Sequence, residues 1–290
     1  MNKLIEVFGV ARAIPLTYIS RSYVDEKFIN ALSRDKHIVL HGSSKQGKSC
    51  LRRQCLKGDG HVVVQCGNDM TREQIYELLL KQAGAFATQN GDAPHLDVDI
   101  DPTDVDDIIR ALELLTFTKF VLLEDFHYLP YDVQRDLAFD LKAFHEKSSV
   151  VFIVIGVWRE PNRLVQFNPD LAGRLIAVDA DRWDTIDLER VITTGEKILN
   201  VEFHRELRKE MVLLCQGNVG VLQEVCFRLC ESQNVLQTCF HRKSIDDVEE
   251  VKEIARQVWA EQAVRHFKTP AESQAARTAH VTGSRTMARG

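Results

Sequence analysis

The sequence predicts an α/β protein: a parallel sheet of five strands in a three-layer αβα sandwich, followed by an all-α segment. Three observations carry this. Strand-like and helix-like periods alternate up to about residue 180. The strands are near-continuous Val/Ile/Leu runs such as HVVVQ, FVLLE and VVFIVI, which suits strands covered on both faces. Beyond Thr185 the pattern is almost entirely helical.

The elements follow in chain order. Residues 24–33 carry a helical pattern, and HIVLHG (37–42) is a short buried strand. Helical periodicity resumes from Lys48 to Leu56, and HVVVQCG (61–67) is the second strand. TREQIYELLLKQAG opens on Thr71, a capping residue type, with Glu73 soon after. Ile75, Leu78 and Leu79 mark its apolar face and Gly84 ends it. Another amphipathic helix covers 103–115, with Thr103 as its cap and acidic residues favouring its N-terminus. KFVLLEDF (119–126) is the third strand, 132–145 a helix, SVVFIVIG (149–156) the fourth strand and RLIAVD (174–179) the fifth. Helices are expected at about 186–198, 203–215, 218–231 and 246–262. The expected organisation is a sheet-bearing core over 1–180, in which 1–23 is a linker segment, a helical lid over 181–262, and a disordered tail over 263–290, where the residues are small, polar and aperiodic.

Composition excludes several function classes. A formal net charge of −5 argues against a general polyanion binder, so nucleic-acid contact would need a local basic patch or several copies in an oligomer. No stretch approaches the roughly 20 apolar residues of a membrane helix, and the first residues lack the apolar core of a signal peptide. The seven cysteines are odd in number and contain no CxxC, which fits reduced thiols of a cytoplasmic protein. Cys226, Cys230, Cys239 and His241 could ligate zinc, but 226 and 230 are one helical turn apart among apolar neighbours and read as core. Seven aspartates fall between Asp92 and Asp107, and Asp97, Asp99 and Asp101 are spaced like the first ligands of a calcium loop. Pro102 and Ile108 stand where such a loop needs its glycine turn and bidentate glutamate, so this reads as a solvated acidic loop.

The chemistry is concentrated after the first strand. Gly42, Ser43, Ser44, Lys45, Gln46, Gly47, Lys48 and Ser49 match G-x-x-x-x-G-K-[ST] between a strand and a helix, which is the setting of a phosphate-binding P-loop. Glycines let backbone N–H groups turn inward, and the helix that follows, from Lys48 through Ser49 and Cys50, presents unpaired N–H groups to an anion. Lys48 can reach phosphate oxygens and the Ser49 hydroxyl can ligate Mg²⁺. The third strand delivers two carboxylates, Glu124 and Asp125, to its C-terminal edge, beside the loop in an open α/β sheet. One acid can hold the Mg²⁺ shell while the next orients or deprotonates the attacking water. His127 could relay between nucleotide and partner or simply be a satisfied histidine at a strand edge. Arg52, Arg53 and Lys57 form either a contact surface or a solvated helix face.

On the phosphate loop and the acidic strand end, the chain resembles the AAA+ and STAND P-loop ATPases, nearest to the origin-recognition-like and transposition-regulator ATPases, over about residues 15–262. The resemblance implies the sheet order 5-1-4-3-2, ATP and Mg²⁺ bound between subunits, and a helical lid. It implies that Glu124 takes the magnesium role and Asp125 the base role. The family's usual order is Asp-Glu or Asp-Asp, and a shorter base implies slow turnover. Arg159 is the candidate for sensing the γ-phosphate or else a surface arginine. Arg174, before the fifth strand, is either the arginine finger for a neighbouring subunit or a rim salt bridge. Tyr18 and Val24 would pack on adenine or in the core. At the second sensor position Gly217, Asn218, Val219 and Gly220 stand where an arginine is usual. The expected function is a slowly hydrolysing ATP switch that self-assembles. The alternatives are an ATP/ADP-binding signalling module that recruits an effector protein, and an ATPase that loads on DNA.

Overall fold

Five short apolar runs build one parallel sheet in the computed structural model, which describes residues 1–9, 13–85, 99–158 and 160–266. Strands β1 His37–His41, β2 His61–Gln65, β3 Phe120–Glu124, β4 Phe152–Ile155 and β5 Leu175–Asp179 lie in the order β2-β3-β4-β1-β5, each parallel to its neighbour. This is the expected 5-1-4-3-2 order. The helices are α1 Leu4–Val7, α2 Ser22–Leu32, α3 Lys48–Cys55, α4 Arg72–Ala83, α5 Val105–Leu114, α6 Tyr131–Lys147, α7 Arg163–Phe167, α8 Thr185–Leu199, α9 Arg205–Leu214, α10 Val219–Ser232 and α11 Val248–His266. Two further strands, β6 Val201–Phe203 and β7 Lys243–Ile245, pair in parallel.

The chain forms two compact units. The first, Ala11–Val191 with Gly217–Gly220, holds the five-stranded sheet. Because side chains alternate along a strand, each strand feeds two cores. Ile38, Leu40, Leu122, Ile153, Ile155 and Val178 pack with Val24 and Phe28 of α2 and Leu51 of α3. Val39, Val62, Val64, Val121, Leu123 and Val154 pack on the other face with residues of α4, α5 and α6, among them Ile75, Tyr76, Ile108, Leu112, Leu141 and Phe144. Every residue of β1 and β4 is buried, as the unbroken apolar runs required.

Local signals set the helix ends. Thr71 caps α4: its side chain accepts from Gln74 N–H, and the Gln74 side chain accepts in return from Thr71 N–H. For α5 the cap is Asp104, which accepts from Asp106 N–H, and not Thr103, whose N–H and hydroxyl are turned back onto Asp101. A carboxylate bonds an open helix amide more strongly than a hydroxyl does, so Asp104 wins that position. Asp92 and Asp97 of the acidic loop lie outside the described residues.

The second unit comprises Met1–Val10, Ile192–Gln216 and Val221–Gly290. Leu4, Val7 and Phe8 are buried, Leu4 N–H donates to Leu236 O at 2.8 Å, and Lys3 bridges Gln237 in antiparallel fashion. The first nine residues therefore cluster with this unit and not with the sheet, and the division of the chain falls within α8, beyond the boundary expected at 180. The unit departs from an all-α segment by the β6–β7 ladder, Val201 to Phe203 against Lys243 to Ile245. β-Branched and aromatic residues alternating in V-E-F were too few to stand out as a strand. Cys226 and Cys230 lie fully buried in α10, and burial pushes the Cys230 thiol up to about 12. Helix α11 runs to His266, past the expected start of the tail at 263, and 267–290 lie outside the described residues.

Candidate functional site

The loop between β1 and α3 curls around the side chain of Lys48. Its Nζ donates to Gly42 O at 2.8 Å and Ser43 O at 2.6 Å, and only 8% of the residue is exposed. Burial pulls the ammonium pKa down to about 8, against the opposing charges of Asp181 and Asp125. The backbone turns through positive φ at Gly42, Lys45 and Gly47. Gly47 (φ +82) precedes α3 and offers no side-chain cap, so the first amides of that helix are open to an anion. Ser44 and Ser49 are exposed, Ser43, Lys45 and Cys50 half-buried, and Gln46 is buried with its Oε1 unbonded. Burial raises the Cys50 thiol pKa, against the pull of Arg53 and Arg21. This loop fits a polyphosphate: a curled backbone, an uncapped helix start and one ammonium at the centre.

Strand parity decides where the two acids go. Glu124 is the last residue of β3 and shares the face of Leu122, which packs toward α2 and α3. There Arg52 of α3 bonds it: Nε and Nη2 reach Glu124 Oε1 at 2.8 and 2.6 Å. Asp125 lies just past the strand in the left-handed region (φ +55), a conformation aspartate tolerates better than most residues. Its Oδ2 accepts from Gln65 Nε2 at 2.6 Å, and its charge acts on Lys48. Asp125 thus acts on the lysine through its charge, while Glu124 sits in an ion pair with Arg52 of the helix behind the loop. Ser49 and one of these acids could hold Mg²⁺, Glu124 only by sharing its carboxylate with Arg52.

Other predicted residues sort as follows. Arg174 lies at the opening end of β5, where its carbonyl accepts from His37 N–H at 3.1 Å. In a parallel sheet that is the opposite end from the phosphate loop, so Arg174 is not part of the site in its own chain. Its guanidinium bonds Glu146 at 2.7 Å and the Asp170 carbonyl. Arg159 lies outside the described residues. Val24 is 1% exposed within the core, and Tyr18 donates its hydroxyl to Asp25 at 2.6 Å. His127 has a buried, unbonded Nδ1. Burial lowers its pKa, Asp125 opposes that, and Lys48 and Arg163 add to it. Gly220 lies against the loop: a Cβ there would stand 2.5 Å from Lys45 Cβ and 2.8 Å from Lys45 O, so no side chain fits at that position.

Sequence reasoning missed three partners. Arg52 was legible only as a helix surface residue. Its spacing of about one turn after Ser49, on the face β3 presents, was the available signal. Gln65 ends β2 in register with Glu124, which the sheet order alone reveals. Asp181, two residues past β5, belongs to no motif, yet it accepts from both Ser43 N–H and Ser43 Oγ.

No family model matches the sequence and no curated protein matches it. Solved structures do share its fold. A Walker-type ATPase of Pyrococcus abyssi superposes with a TM-score of 0.65 at 16% identity, covering 94% of this chain and 81% of its own. The Orc1 protein of Aeropyrum pernix, solved in complex with DNA, gives 0.55 at 10% identity, covering 88% and 69%. Cdc6p of Pyrobaculum aerophilum gives 0.51 at 11% identity, covering 81% and 68%. With its parallel 5-1-4-3-2 sheet and its phosphate loop after the first strand, the chain has the P-loop ATPase fold found in these Walker-type, Orc1 and Cdc6 proteins.

Proposed function

We propose that the chain binds ATP with Mg²⁺ and hydrolyses it slowly, as a nucleotide-dependent switch that self-assembles. One observation carries the reading: Lys48 sits buried inside a curled glycine loop, at the uncapped start of α3, with its ammonium bonded to the loop's own carbonyls. Gly42 to Cys50 form the cradle for the phosphates, with the backbone donors coming from Ser44 onward, since Gly42 N–H is bonded to Trp158 O and Ser43 N–H to Asp181. Ser49 and an acid at the end of β3 hold the metal, which when bound neutralises phosphate charge. Asp125 orients or deprotonates the attacking water. Arg174 acts on the site of a second copy, where an arginine supplied in trans is worth about a thousandfold or more in rate. Residues 11–191 are the ATPase core in this reading, and the helical segment after them is its lid.

Slow chemistry is supported by the state of the acids. Glu124 is bonded by Arg52 and Asp125 by Gln65, and Asp125 is one methylene shorter than glutamate. The same facts favour, as a second reading, an ATP/ADP-binding signalling module that recruits an effector and hydrolyses negligibly. Loading on DNA finds support in the Orc1 likeness and is opposed by a net charge of −5.

Calorimetry with Mg-ATP on the full chain and on Lys48→Ala tests the site: binding by the former and loss in the latter are expected, and no heat with the wild-type chain refutes the proposal. Phosphate release with and without duplex DNA, and light scattering with ATP against ADP, then divide the readings. DNA stimulation supports loading, negligible turnover supports signalling, and slow turnover with ATP-dependent assembly supports the switch. An Arg174→Ala chain that keeps its turnover removes the trans role.

A further inference from the structure

Asp181 grips the mouth of the phosphate loop. Its Oδ1 accepts from Ser43 N–H at 2.6 Å and its Oδ2 from Ser43 Oγ at 2.9 Å. The approach is tight: a Cβ at Gly42 would stand 2.8 Å from Asp181 Oδ1 and 3.2 Å from its backbone N, at a φ of +137. Glycine at 42 therefore admits the carboxylate as well as the turn.

The segment that carries Asp181 is itself fixed. Ala180 N–H donates to His41 O at 2.9 Å, and Asp181 N–H to Asp179 Oδ1 at 2.9 Å. Arg21, 3% exposed, donates to Ala180 O at 2.9 Å and Arg182 O at 3.3 Å, and its guanidinium stacks on Trp183 at 4.2 Å. Trp183 reaches the other end of the loop, where its Cζ2 would stand 3.9 Å from a Cβ at Gly47. A strap of residues 180–183, anchored by a buried arginine, thus bonds the loop beside Gly42 and lies alongside it at Gly47.

Ser43 N–H and Gly42 C=O belong to one rigid peptide plane. Asp181 holds the N–H edge of that plane and Lys48 Nζ holds the carbonyl edge at 2.8 Å. A bond from a backbone N–H to a carboxylate is about twice as strong as a neutral one, so this plane has little freedom left. We propose that Asp181 is a positioning residue of the nucleotide site: it fixes the Gly42–Ser43 peptide, and through it the curvature of the loop that receives the phosphates. The inference rests on the nucleotide reading above. Its physical content is preorganisation: a loop held in its binding shape does not spend binding free energy on being ordered.

Calorimetry with Mg-ADP on the full chain, comparing wild type, Asp181→Ala and Asp181→Asn, tests it. Alanine removes both bonds and is expected to weaken binding about tenfold, equivalent to the loss of one good hydrogen bond. Asparagine keeps an acceptor for Ser43 N–H without the charge and is expected to restore affinity to within about threefold of wild type. Should Asp181 act only through its charge, the two variants would move together, tighter or weaker, and that result overturns the inference. So does an alanine variant with wild-type affinity. Ser43→Ala, which removes only the hydroxyl arm, is expected to lose about threefold. If the alanine variant at 181 fails to fold, wild-type affinity in Ser43→Ala overturns the inference in its place. Wild-type protein without heat would end the nucleotide reading itself, whereas wild-type binding with an indifferent Asp181→Ala would end this inference alone.

Discussion

Replacing Arg52 by alanine separates the ion pair of Glu124 from the metal role proposed for it. The carboxylate is bonded at 2.6 and 2.8 Å by Arg52, and the two side chains are only 11% and 14% exposed. An exposed ion pair is worth about 0–1 kcal/mol, while removing one partner of a fully buried pair costs about 3–5 kcal/mol because the other charge is left alone. A pair this far from solvent belongs between these limits, so the loss is expected at about 2 kcal/mol. For a chain of 290 residues that is a fall of roughly 3 °C in the unfolding midpoint.

The proposed metal role is tested by adding Mg²⁺ and nucleotide. If Glu124 is the acid that shares the metal, the cation replaces the missing guanidinium, and the variant should recover most of its lost stability. The magnesium concentration needed for half-maximal stabilisation by ADP should then fall relative to wild type. Thermal unfolding across a magnesium titration, run with ADP and with neither ligand, reads both effects. Arg52→Lys, which keeps the charge without the fork, is expected in between. A variant as stable as wild type without ligand would refute the burial argument. A magnesium requirement that is unchanged or higher would refute Glu124 as the metal acid and leave Asp125, the carboxylate whose charge acts on Lys48, in that place.

Three further predictions concern the frame around the site. Asp140, 6% exposed, bonds Arg72 Nη2 at 2.8 Å and Tyr76 Oη at 2.7 Å, so Asp140→Ala is expected to cost about 3 kcal/mol in urea unfolding and Tyr76→Phe only about 1 kcal/mol. Gly195 in α8 faces Phe8, and a Cβ there would stand 2.0 Å from Phe8 Cζ. Overpacking of about 1–3 kcal/mol outweighs the roughly 1 kcal/mol that alanine gains in a helix, so Gly195→Ala destabilises, and adding Phe8→Leu should recover part of the loss. His37 is held neutral: burial, with help from nearby His145, pulls its pKa down to about 4, while the Leu141 carbonyl and Asp35 pull the other way. Its folded pKa lies below the ordinary 6.5, so its neutral form stabilises fully above pH 6.5. That contribution is lost as pH falls from 6.5 to 4, about 3 kcal/mol in all. Its imidazole resonances should stay neutral at pH 5 by NMR, and protonation near pH 6.5 in the folded protein would refute this.

Much of the fold was legible because burial on both faces of a parallel sheet forces apolar continuity, and HIVLH, FVLLE and FIVI show it plainly. The phosphate loop was legible for a different reason: its residues are consecutive, so the whole device is written in one short stretch. Illegible were the contacts made between segments distant in sequence. Arg52 and Glu124 are 72 positions apart, Gln65 and Asp125 60, and Ser43 and Asp181 138. Each pairing depends on strand order and on which face a side chain takes, and periodicity fixes the second only after the first is known. The three-residue strands β6 and β7 were missed because a run that short carries no period.

These long-range contacts have a common direction. Glu124, Asp125 and the Gly42–Ser43 peptide are each bonded by a side chain from another segment: Arg52, Gln65 and Asp181. The loop is made rigid, which favours binding, whereas the acids are engaged by donors, which opposes metal sharing and water activation. The proposed switch would require tight binding joined to slow chemistry, since its bound state must outlast the event it reports. If Arg52→Ala and Gln65→Ala both raise the rate of phosphate release while Asp181→Ala lowers affinity, the two halves of that design are separable. Should freeing the acids leave the rate unchanged, the proposed slowness must have another source, and the short reach of Asp125 becomes the next cause to test with Asp125→Glu.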